Sequence, residues 1–243
     1  MTLENQLAGL RAPAPAQTAI AVSLGTGLVP GFAVYEAPFG DVAVMFTPAG
    51  VRQVRLMDEL DPGAVEANPP RAWADRIPRA LEEGRPGSLP LDLSEVTPFR
   101  QSVLGVAATI PRGEVRSYGW LARHVGKPGA SRAVGSAMAS NPVPLIVPCH
   151  RVVRSDGYIG AYSLGGPENK WALLRHEGAA PEHLEELAAA GMRYLGSDTT
   201  GVFCVPSCQR ARRITDQHMV GFRSEASALE AGYRPCQVCR PLG

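Results

Sequence analysis

The first 148 residues of the chain contain no cysteine, and aromatic side chains make up only 6% of its 243 residues. No run of about 18 uncharged apolar residues occurs, which predicts that no helix spans a membrane. Residues 1–5 lack the basic start and apolar core of a signal peptide, so we expect a cytoplasmic protein. Disulfides are not expected in that compartment, and the five cysteines therefore indicate metal binding or a reactive thiol.

The composition is that of an ordinary globular protein, with 45% hydrophobic and 19% charged residues. The length predicts two domains and a further small unit. The net charge of +1 is unevenly distributed: residues 99–178 carry 10 Lys or Arg against 4 Asp or Glu, whereas residues 1–98 carry 7 against 12. The basic segment would suit a polyanion such as nucleic acid, and a solvated basic face is an equally good interpretation.

Hydrophobic patterning divides the N-terminal part into three stretches. Residues 1–30 are rich in Ala, Pro and Gly, and we interpret them as a loose tail or a first short strand. Residues 31–57 alternate apolar and polar side chains, which predicts a β-hairpin or meander. One short helix is expected near residues 73–83.

The basic segment has helical periodicity. A helix is predicted to begin at Thr97-Pro98, with the proline just inside its start. A second helix should follow the Ser117 cap, and a third should run over residues 130–140. Two short helices around a glycine-containing turn are compatible with a helix-turn-helix or with simple packing. A last helix is expected at residues 169–176, followed by a short helical connector.

The isolated cysteine, Cys149, is followed directly by His150 and Arg151. A thiolate is the reactive form of cysteine, and a neighbouring base or positive charge increases its population. These three residues alone are also compatible with a buried structural cysteine.

The longer stretch around Cys149 resembles the active-site signature of the O6-alkylguanine-DNA alkyltransferases. It reads NPVPLIVPCHRV and begins at Asn141. Flanking landmarks extend the resemblance over residues 97–178: GEV at 113–115, SY at 117–118, SRAVGSAM at 131–138, Tyr162-Ser163, Trp171 and HEG at 176–178.

The resemblance implies irreversible, stoichiometric transfer of an alkyl group from guanine O6 in DNA to Cys149, without an organic cofactor. It implies that His150 deprotonates the thiol through a water, that Glu177 orients His150, and that Asn141 holds the turn presenting the cysteine. Taken by itself, Glu177 could be a surface carboxylate at a helix end, and Asn141 could simply stop a helix before proline.

The resemblance also implies residues for extruding the damaged base. Arg132 would fill the vacated space in the duplex, and Tyr118 would help to rotate the nucleotide and donate a proton or hydrogen bond to the guanine. The DNA-binding and base-flipping set is Tyr118, Arg132, Ala133, Gly135, Ser136 and Arg151. The base-pocket set is Val152, Tyr162 and Ser163. Taken by themselves, the small helix residues could serve packing, Tyr162 could belong to the core and Ser163 to the surface.

Four cysteines form two pairs near the C-terminus: Cys204 with Cys208, and Cys236 with Cys239. Two closely spaced pairs commonly supply the four tetrahedral ligands of Zn²⁺, and few large apolar side chains are available to fold this segment otherwise. We therefore predict a zinc site with these four cysteines as its ligands.

Residues 192–241 resemble the zinc domain of the bacterial adaptive-response protein Ada. That resemblance implies that Cys204 could also accept a methyl group from methylphosphotriesters, and the basic residues Arg210, Arg212 and Arg213 could contact phosphates or form a solvated turn. The chain departs from Ada in domain order, in having Val205 where that family has arginine, in a stretch between the pairs that is about one residue longer, and in lacking its second DNA-binding module. It also has no Cys or His before His124, so the N-terminal zinc site of some alkyltransferases is absent.

The predicted fold is α+β, with a ribonuclease-H-like N-terminal domain, a winged-helix-like catalytic domain and a small zinc domain. The expected divisions are a tail or first strand at 1–30, then 31–96, 97–178, a linker at 179–191, and 192–243. The expected partner is double-stranded DNA containing alkylated guanine, bound by a monomer without membrane association. The alternative is a non-catalytic lesion-binding or regulatory zinc protein. A zinc hydrolase is disfavoured because four sulfur ligands close the metal.

Overall fold

An antiparallel meander lies near the N-terminus, as the alternation in residues 31–57 predicts. Its strands are β1 (Gly31–Ala37), β2 (Gly40–Thr47) and β3 (Gly50–Leu56). A short strand, β4 (Val65–Glu66), pairs in parallel with β1 and gives the sheet order β3-β2-β1-β4. Strand β2 is buried from Val42 to Thr47, because it is an inner strand with both faces covered.

The computed structural model describes residues 16–60 and 62–242. It places helix α1 (Ala16–Thr26) where a loose tail or first strand was expected. The alanines of this stretch favour helix, and the helix ends at Gly27 with φ of +73°. The expectation was therefore wrong for residues 16–26, and residues 1–15 lie outside the described part of the chain.

The predicted short helix is confirmed as α2 (Arg76–Glu83). It ends at Gly84, which adopts the left-handed conformation that glycine favours at this position. Ile77 and Ala80 are buried in the same hydrophobic core as Val42 and Val44 of β2.

The first part of the basic segment contains three helices: α3 (Pro98–Ala107), α4 (Tyr118–His124) and α5 (Ser131–Ala139). Each matches its prediction. Thr97 precedes α3 with proline at the first helical position, and the Ser117 hydroxyl accepts a hydrogen bond from the Trp120 amide at the start of α4. A two-stranded parallel ladder joins β5 (Arg116–Ser117) to β6 (Val152–Val153), so the start of α4 lies beside the segment that follows Cys149.

Two further helices lead to the C-terminal unit. Helix α6 (Gly166–His176) begins three residues before its predicted start, and α7 (Pro181–Ala189) is the expected connector. The C-terminal sheet has the order β10-β8-β7-β9 and carries helix α8 on one side. Its elements are β7 (Tyr194–Ser197), β8 (Val202–Cys204), β9 (Met219–Phe222), α8 (Glu225–Glu230) and β10 (Arg234–Pro235).

One hydrophobic core joins the N-terminal sheet to the helical segment. It runs from Val42 in β2 through Leu104 and Leu121 to Leu173. The expected division between residues 96 and 97 therefore crosses a shared core. In residues 16–60 and 62–242, no helix has both the length and the apolar character needed to cross a membrane.

Candidate active site and metal centre

Asn141 holds the turn that presents Cys149. Its side-chain amide donates to the Val147 carbonyl at 2.8 Å and to the Cys149 sulfur at 3.2 Å, and its carbonyl oxygen accepts from the Val143 amide at 3.1 Å. Residues 143–148 are buried and non-helical, as expected for a proline-interrupted apolar run, and Pro142 is partly buried. Asn141 thus follows the end of helix α5 and holds the turn that carries Cys149.

The Cys149 side chain is buried, being 5% exposed. Burial raises the pKa of its thiol, while the Asn141 amide and the Lys170 ammonium act in the opposite direction. These two groups favour the thiolate, which is the nucleophilic form.

His150 and Glu177 form a buried pair. The Nε2 atom of His150 lies 2.9 Å from Oε1 of Glu177, and both side chains are at most 5% exposed. Because a carboxylate only accepts hydrogen bonds, Nε2 carries the proton and Nδ1 keeps its lone pair. Nδ1 is buried and has no hydrogen-bond partner among the described residues, so it is free to accept a proton. Burial lowers the pKa of His150, which keeps the ring neutral at pH 7 and leaves the Nδ1 lone pair available.

The carboxylate of Glu177 is held in its ionised form. Burial opposes ionisation, but hydrogen bonds from His150 and Arg151 lower the pKa of Glu177 to about 2. The backbone amide of Gly113 adds a further hydrogen bond at 3.2 Å. Glu177 is therefore not a surface carboxylate at a helix end.

Arg151 is buried, so its expected place in the DNA-binding set is wrong. The side chain is 1% exposed and pairs with Glu177 at 2.7 Å. Its remaining donors reach the backbone carbonyls of Glu83, Gly84 and Ile110. These carbonyls need a donor in the interior, so the guanidinium joins the N-terminal unit to the active site.

A cleft of about 200 Å³ opens over Cys149. Its lining combines the predicted residues Tyr118, Gly135, Tyr162 and Ser163 with neighbours that had no predicted site role. The full lining is Tyr118, Gly135, Met138, Ala139, Cys149, Ala161, Tyr162 and Ser163. Burial and the nearby Cys149 raise the pKa values of Tyr118 and Tyr162, so both phenols remain protonated donors at neutral pH.

The remaining predicted residues are divided between the surface and the core. Arg132, Ala133 and Ser136 are exposed on helix α5. Val152 is fully buried and does not line the cleft over Cys149. The Val152 carbonyl accepts a hydrogen bond from Lys170 at 2.7 Å. Val152 therefore makes a structural contact here instead of lining the base pocket as expected.

Lys170 is a buried residue next to the site whose role the sequence did not predict. Its ammonium group donates to the carbonyls of Val152, Ile159 and Ala161. It thereby ties the cleft wall at Ala161 to the strand that follows Cys149. Burial lowers its pKa to about 8. A lysine within a helix offers no sequence signal for this role, since its partners are backbone carbonyls.

The four C-terminal cysteines lie together, as predicted. Their sulfur atoms are all within 4.8 Å of one another, and all four residues are buried. Hydrogen bonds to the sulfurs of Cys208 and Cys239, together with burial, raise the pKa of the Cys204 thiol. A doubly charged cation would reverse this effect, because thiolates are its ligands. This donor set fits a tetrahedral, closed Zn²⁺ site.

A groove of about 460 Å³ lies beside Cys204. Three arginines line it, namely Arg210, Arg213 and Arg234, together with hydroxyl groups of Ser197, Thr199 and Thr215. Arg212 is not part of this lining and instead donates to carbonyls of Gly113 and Gly178 in the catalytic segment. The basic run is thus divided between two surfaces.

Known proteins resemble the chain in two separate segments. Residues 98–179 match the family described as "6-O-methylguanine DNA methyltransferase, DNA binding domain", and residues 185–241 match "Metal binding domain of Ada". A methylated-DNA–protein-cysteine methyltransferase of Mus musculus is 37% identical over 170 residues, which cover 60% of this chain and 81% of that protein. The protein of that name from Methanosarcina acetivorans is 35% identical, with 61% of this chain and 98% of that protein covered.

Other relatives match over a shorter span. The methyltransferase of Shigella flexneri is 51% identical over 82 residues, and the chain spans about half (47%) of its length. Among solved structures, Mycobacterium tuberculosis OGT in complex with DNA superposes with a TM-score of 0.53 at 32% identity, covering 64% of this chain and 99% of that one.

The fold and site are those of a protein with a buried cysteine next to a histidine–carboxylate pair, in a segment that matches a DNA-binding domain model. The chain belongs to the methylated-DNA–protein-cysteine methyltransferase family, to which the Mus musculus and Methanosarcina acetivorans relatives belong. It combines that catalytic unit with a C-terminal zinc module of the Ada type.

Proposed function

We propose that the protein repairs double-stranded DNA by moving an alkyl group from O6 of guanine to its own Cys149. The observation that carries this proposal is the Asn141–Cys149 contact beside the His150–Glu177 pair, at the floor of a cleft. A base extruded from the duplex would enter that cleft, at a cost of a few kcal/mol for unstacking. The family membership and a DNA complex of a structural relative support the same activity.

The chemistry is a displacement at the alkyl carbon. His150 accepts the thiol proton at Nδ1, through a water, and the Cys149 sulfur then forms a bond to carbon as the carbon–O6 bond breaks. The electron pair leaves with guanine, and the phenol of Tyr118 donates a proton or hydrogen bond to the departing base. Glu177 stabilises the positive charge on His150. The thioether formed at Cys149 is stable, so one molecule repairs one lesion.

Helix α5 is proposed to face the minor groove of DNA. Arg132 lies exposed in its first turn and would fill the space that the extruded base leaves. Gly135 lines the cleft, while Ala133 and Ser136 are small and exposed, which permits close approach to the backbone.

The test uses a duplex with a single O6-methylguanine carrying a labelled methyl group. The wild-type protein should take up one label per molecule, and Cys149→Ser should take up none while still binding the duplex. Equal label on both proteins would disprove the role of Cys149. Lesion binding without transfer by the wild-type protein would instead favour the non-catalytic regulatory alternative.

A second activity is proposed for Cys204, namely acceptance of a methyl group from a methylphosphotriester. The arginine-lined groove beside Cys204 favours it, since three guanidinium groups suit a phosphate backbone. Zinc, when bound, keeps the sulfur deprotonated. Cys149→Ser protein offered DNA with methylphosphotriesters but no base lesion should gain a methyl group on Cys204. An unmodified Cys204 in the zinc-loaded protein would assign the site a purely structural or DNA-tethering role.

The finer fold assignments belong to the same proposal. The sheet with one parallel and three antiparallel strands supports a ribonuclease-H-like N-terminal unit, and helices α3–α5 with the β5–β6 ladder support a winged-helix-like catalytic unit. We further propose a cytoplasmic, DNA-associated monomer. Sedimentation of the free protein and of its complex with a short duplex would test the monomeric state.

A further inference from the structure

The zinc module bonds directly to the turn that supports Glu177. Gly113 lies in that turn, and its amide donates to Oε2 of Glu177 at 3.2 Å. The guanidinium group of Arg212, from the zinc module, donates to the Gly113 carbonyl and, at 3.1 Å, to the Gly178 carbonyl. One side chain therefore joins the residue that binds the Glu177 carboxylate to the residue that follows Glu177 in the chain.

Neighbouring contacts fasten the same turn. The Ser207 hydroxyl bonds to both the amide and the carbonyl of Val115, at 2.8 and 3.1 Å. The Gln209 amide donates to the Glu114 carboxylate at 3.2 Å. Arg212 is itself fixed by a hydrogen bond from its Nε to the Ser207 carbonyl at 3.1 Å. Three successive residues of the catalytic unit are thus held by one segment of the zinc module.

The packing at Gly113 leaves little room for movement. Gly113 has φ of +74°, and a Cβ atom placed there would lie 2.7 Å from the Glu177 carbonyl oxygen. Because the turn and the end of helix α6 are in such close contact, a displacement of one must displace the other. Arg212 spans both segments and opposes their separation.

We propose that Arg212 is a positioning residue for the alkyl transfer, through which the zinc module holds Glu177 in place against His150. This inference rests on the proposed reaction at Cys149. It makes the C-terminal module a part of the catalytic unit. Loosening Glu177 weakens its support of His150, so proton removal from Cys149 requires a higher pH.

The groups that face the Glu177–His150 pair come from several elements. Arg151 contacts Glu177 directly, and the cavity beside the pair is lined by further titratable side chains: Tyr35, Glu36, Glu82 and His176. Arg112 pairs with Glu82 at 2.8 Å at the rim of this region. Among the described residues, Arg212 donates to the backbone carbonyls of Ser207, Gly113 and Gly178, so its replacement changes geometry without removing a charge partner of Glu177.

The test compares Arg212→Ala and Arg212→Lys with Arg223→Ala, a control arginine that is exposed on the same module outside this contact. All variants are used as zinc-loaded full chains, with metal content checked. The substrate is free O6-methylguanine base with a labelled methyl group, which removes DNA binding from the measurement. Single-turnover alkylation of Cys149 is followed against substrate concentration and pH.

Arg212→Ala should lower the limiting rate about three- to tenfold, leave the half-saturating concentration unchanged and move the pH midpoint upward. Arg212→Lys should fall between Arg212→Ala and wild type, because an ammonium group reaches one of the two carbonyls at a time. Arg212→Ala and Arg212→Lys profiles that match Arg223→Ala would overturn the proposal, as would a defect seen only with duplex DNA. A wild-type protein that alkylates Cys149 with neither the free base nor the duplex lesion would instead refute the reaction at Cys149 itself.

Discussion

The side-chain amide of Asn141 lies 3.2 Å from the Cys149 sulfur and 2.8 Å from the Val147 carbonyl. One amide group therefore closes the turn and contacts the nucleophile that the turn presents. This dual contact explains why a helix-stopping asparagine and a reactive cysteine stand eight residues apart with a buried, proline-rich segment between them.

Replacing Asn141 should affect stability and reactivity together. Asn141→Ala leaves the buried Val143 amide without its partner and removes one of the two donors to the Val147 carbonyl, which still accepts from the Cys149 amide, at a cost of about 1–3 kcal/mol. Asn141→Asp keeps an acceptor for Val143 but places a carboxylate beside the sulfur, which raises the pKa of Cys149. Urea unfolding and the pH profile of Cys149 alkylation measure the two effects. A normal pH profile in Asn141→Asp would contradict the assigned contact.

Glu177 should make stability depend on acid. Its pKa is about 2 in the folded protein against an ordinary 4.5, so its contribution is fully present above pH 4.5 and is lost as pH falls toward 2. The shift corresponds to about 3 kcal/mol. The difference in unfolding free energy between wild type and Glu177→Gln should therefore shrink as pH falls.

Urea unfolding between pH 6 and pH 3 measures this difference. His150, whose pKa is lowered by burial, adds a loss of stability below pH 6.5 in the wild type. Glu182→Gln is the control, because Glu182 is exposed and pairs with the exposed Arg175. A constant gap between wild type and Glu177→Gln would show that the buried carboxylate is not ionised.

The two lysines of the chain should differ sharply. Lys170→Met removes the donor for three backbone carbonyls in the interior and should destabilise the fold by about 2–4 kcal/mol. Lys127→Met changes an exposed side chain in a turn and should stay within about 0.5 kcal/mol of wild type. Chemical unfolding compares them, and equal stabilities would contradict the tie between Val152 and the cleft wall.

Metal removal should destabilise the catalytic unit as well as the zinc module. The contacts with the helical segment come from residues beside the cysteines: Ser207, Gln209 and Arg240, whose carbonyl accepts from the Trp120 indole at 2.9 Å. Chelation should therefore lower the melting temperature of the whole chain by about 5–15 °C in calorimetry. A catalytic unit that melts unchanged in a separate transition would show that the two parts are independent.

Arg132 should matter for duplex substrates alone. Its side chain is exposed, so Arg132→Ala should leave stability within about 0.5 kcal/mol of wild type. Repair of a duplex lesion should slow about tenfold or more, because no side chain then fills the space that the extruded base leaves. The reaction with free base should not change. Arg79→Ala, on the exposed face of α2, is the control. An equal loss on both substrates would place Arg132 in the chemical step.

Local patterns predicted most of the elements, whereas the turn at Cys149 was implied by the family resemblance. The alternation of residues 31–57, the Thr97 and Ser117 starts and the paired cysteines all depend on near neighbours, and each is confirmed. Helix α1 was not predicted because the prolines and glycines within residues 1–30 disfavour helix, although the alanines there favour it. The family resemblance supplied Glu177, 27 residues beyond His150, which spacing alone could not place.

Long-range partners account for what the sequence did not show. Arg151 follows Cys149 and has the charge expected of a DNA contact. In the structure it is buried and donates hydrogen bonds to the carbonyls of Glu83 and Gly84. Lys170 likewise donates to backbone carbonyls 9 to 18 residues earlier in the chain, and Arg212 donates to carbonyls 34 and 99 residues earlier. Every residue has a backbone carbonyl, so the sequence does not indicate which buried carbonyls need a side-chain donor.

Peptide mass mapping tests the central claim most directly. The zinc-loaded protein would be incubated with DNA treated with a methylating agent that produces both O6-methylguanine and methylphosphotriesters, then digested. A methyl group on the peptide containing Cys149 is the predicted result, and an additional methyl on Cys204 would extend the activity to a second lesion. A folded protein with intact thiols and no methyl on Cys149 would contradict the account.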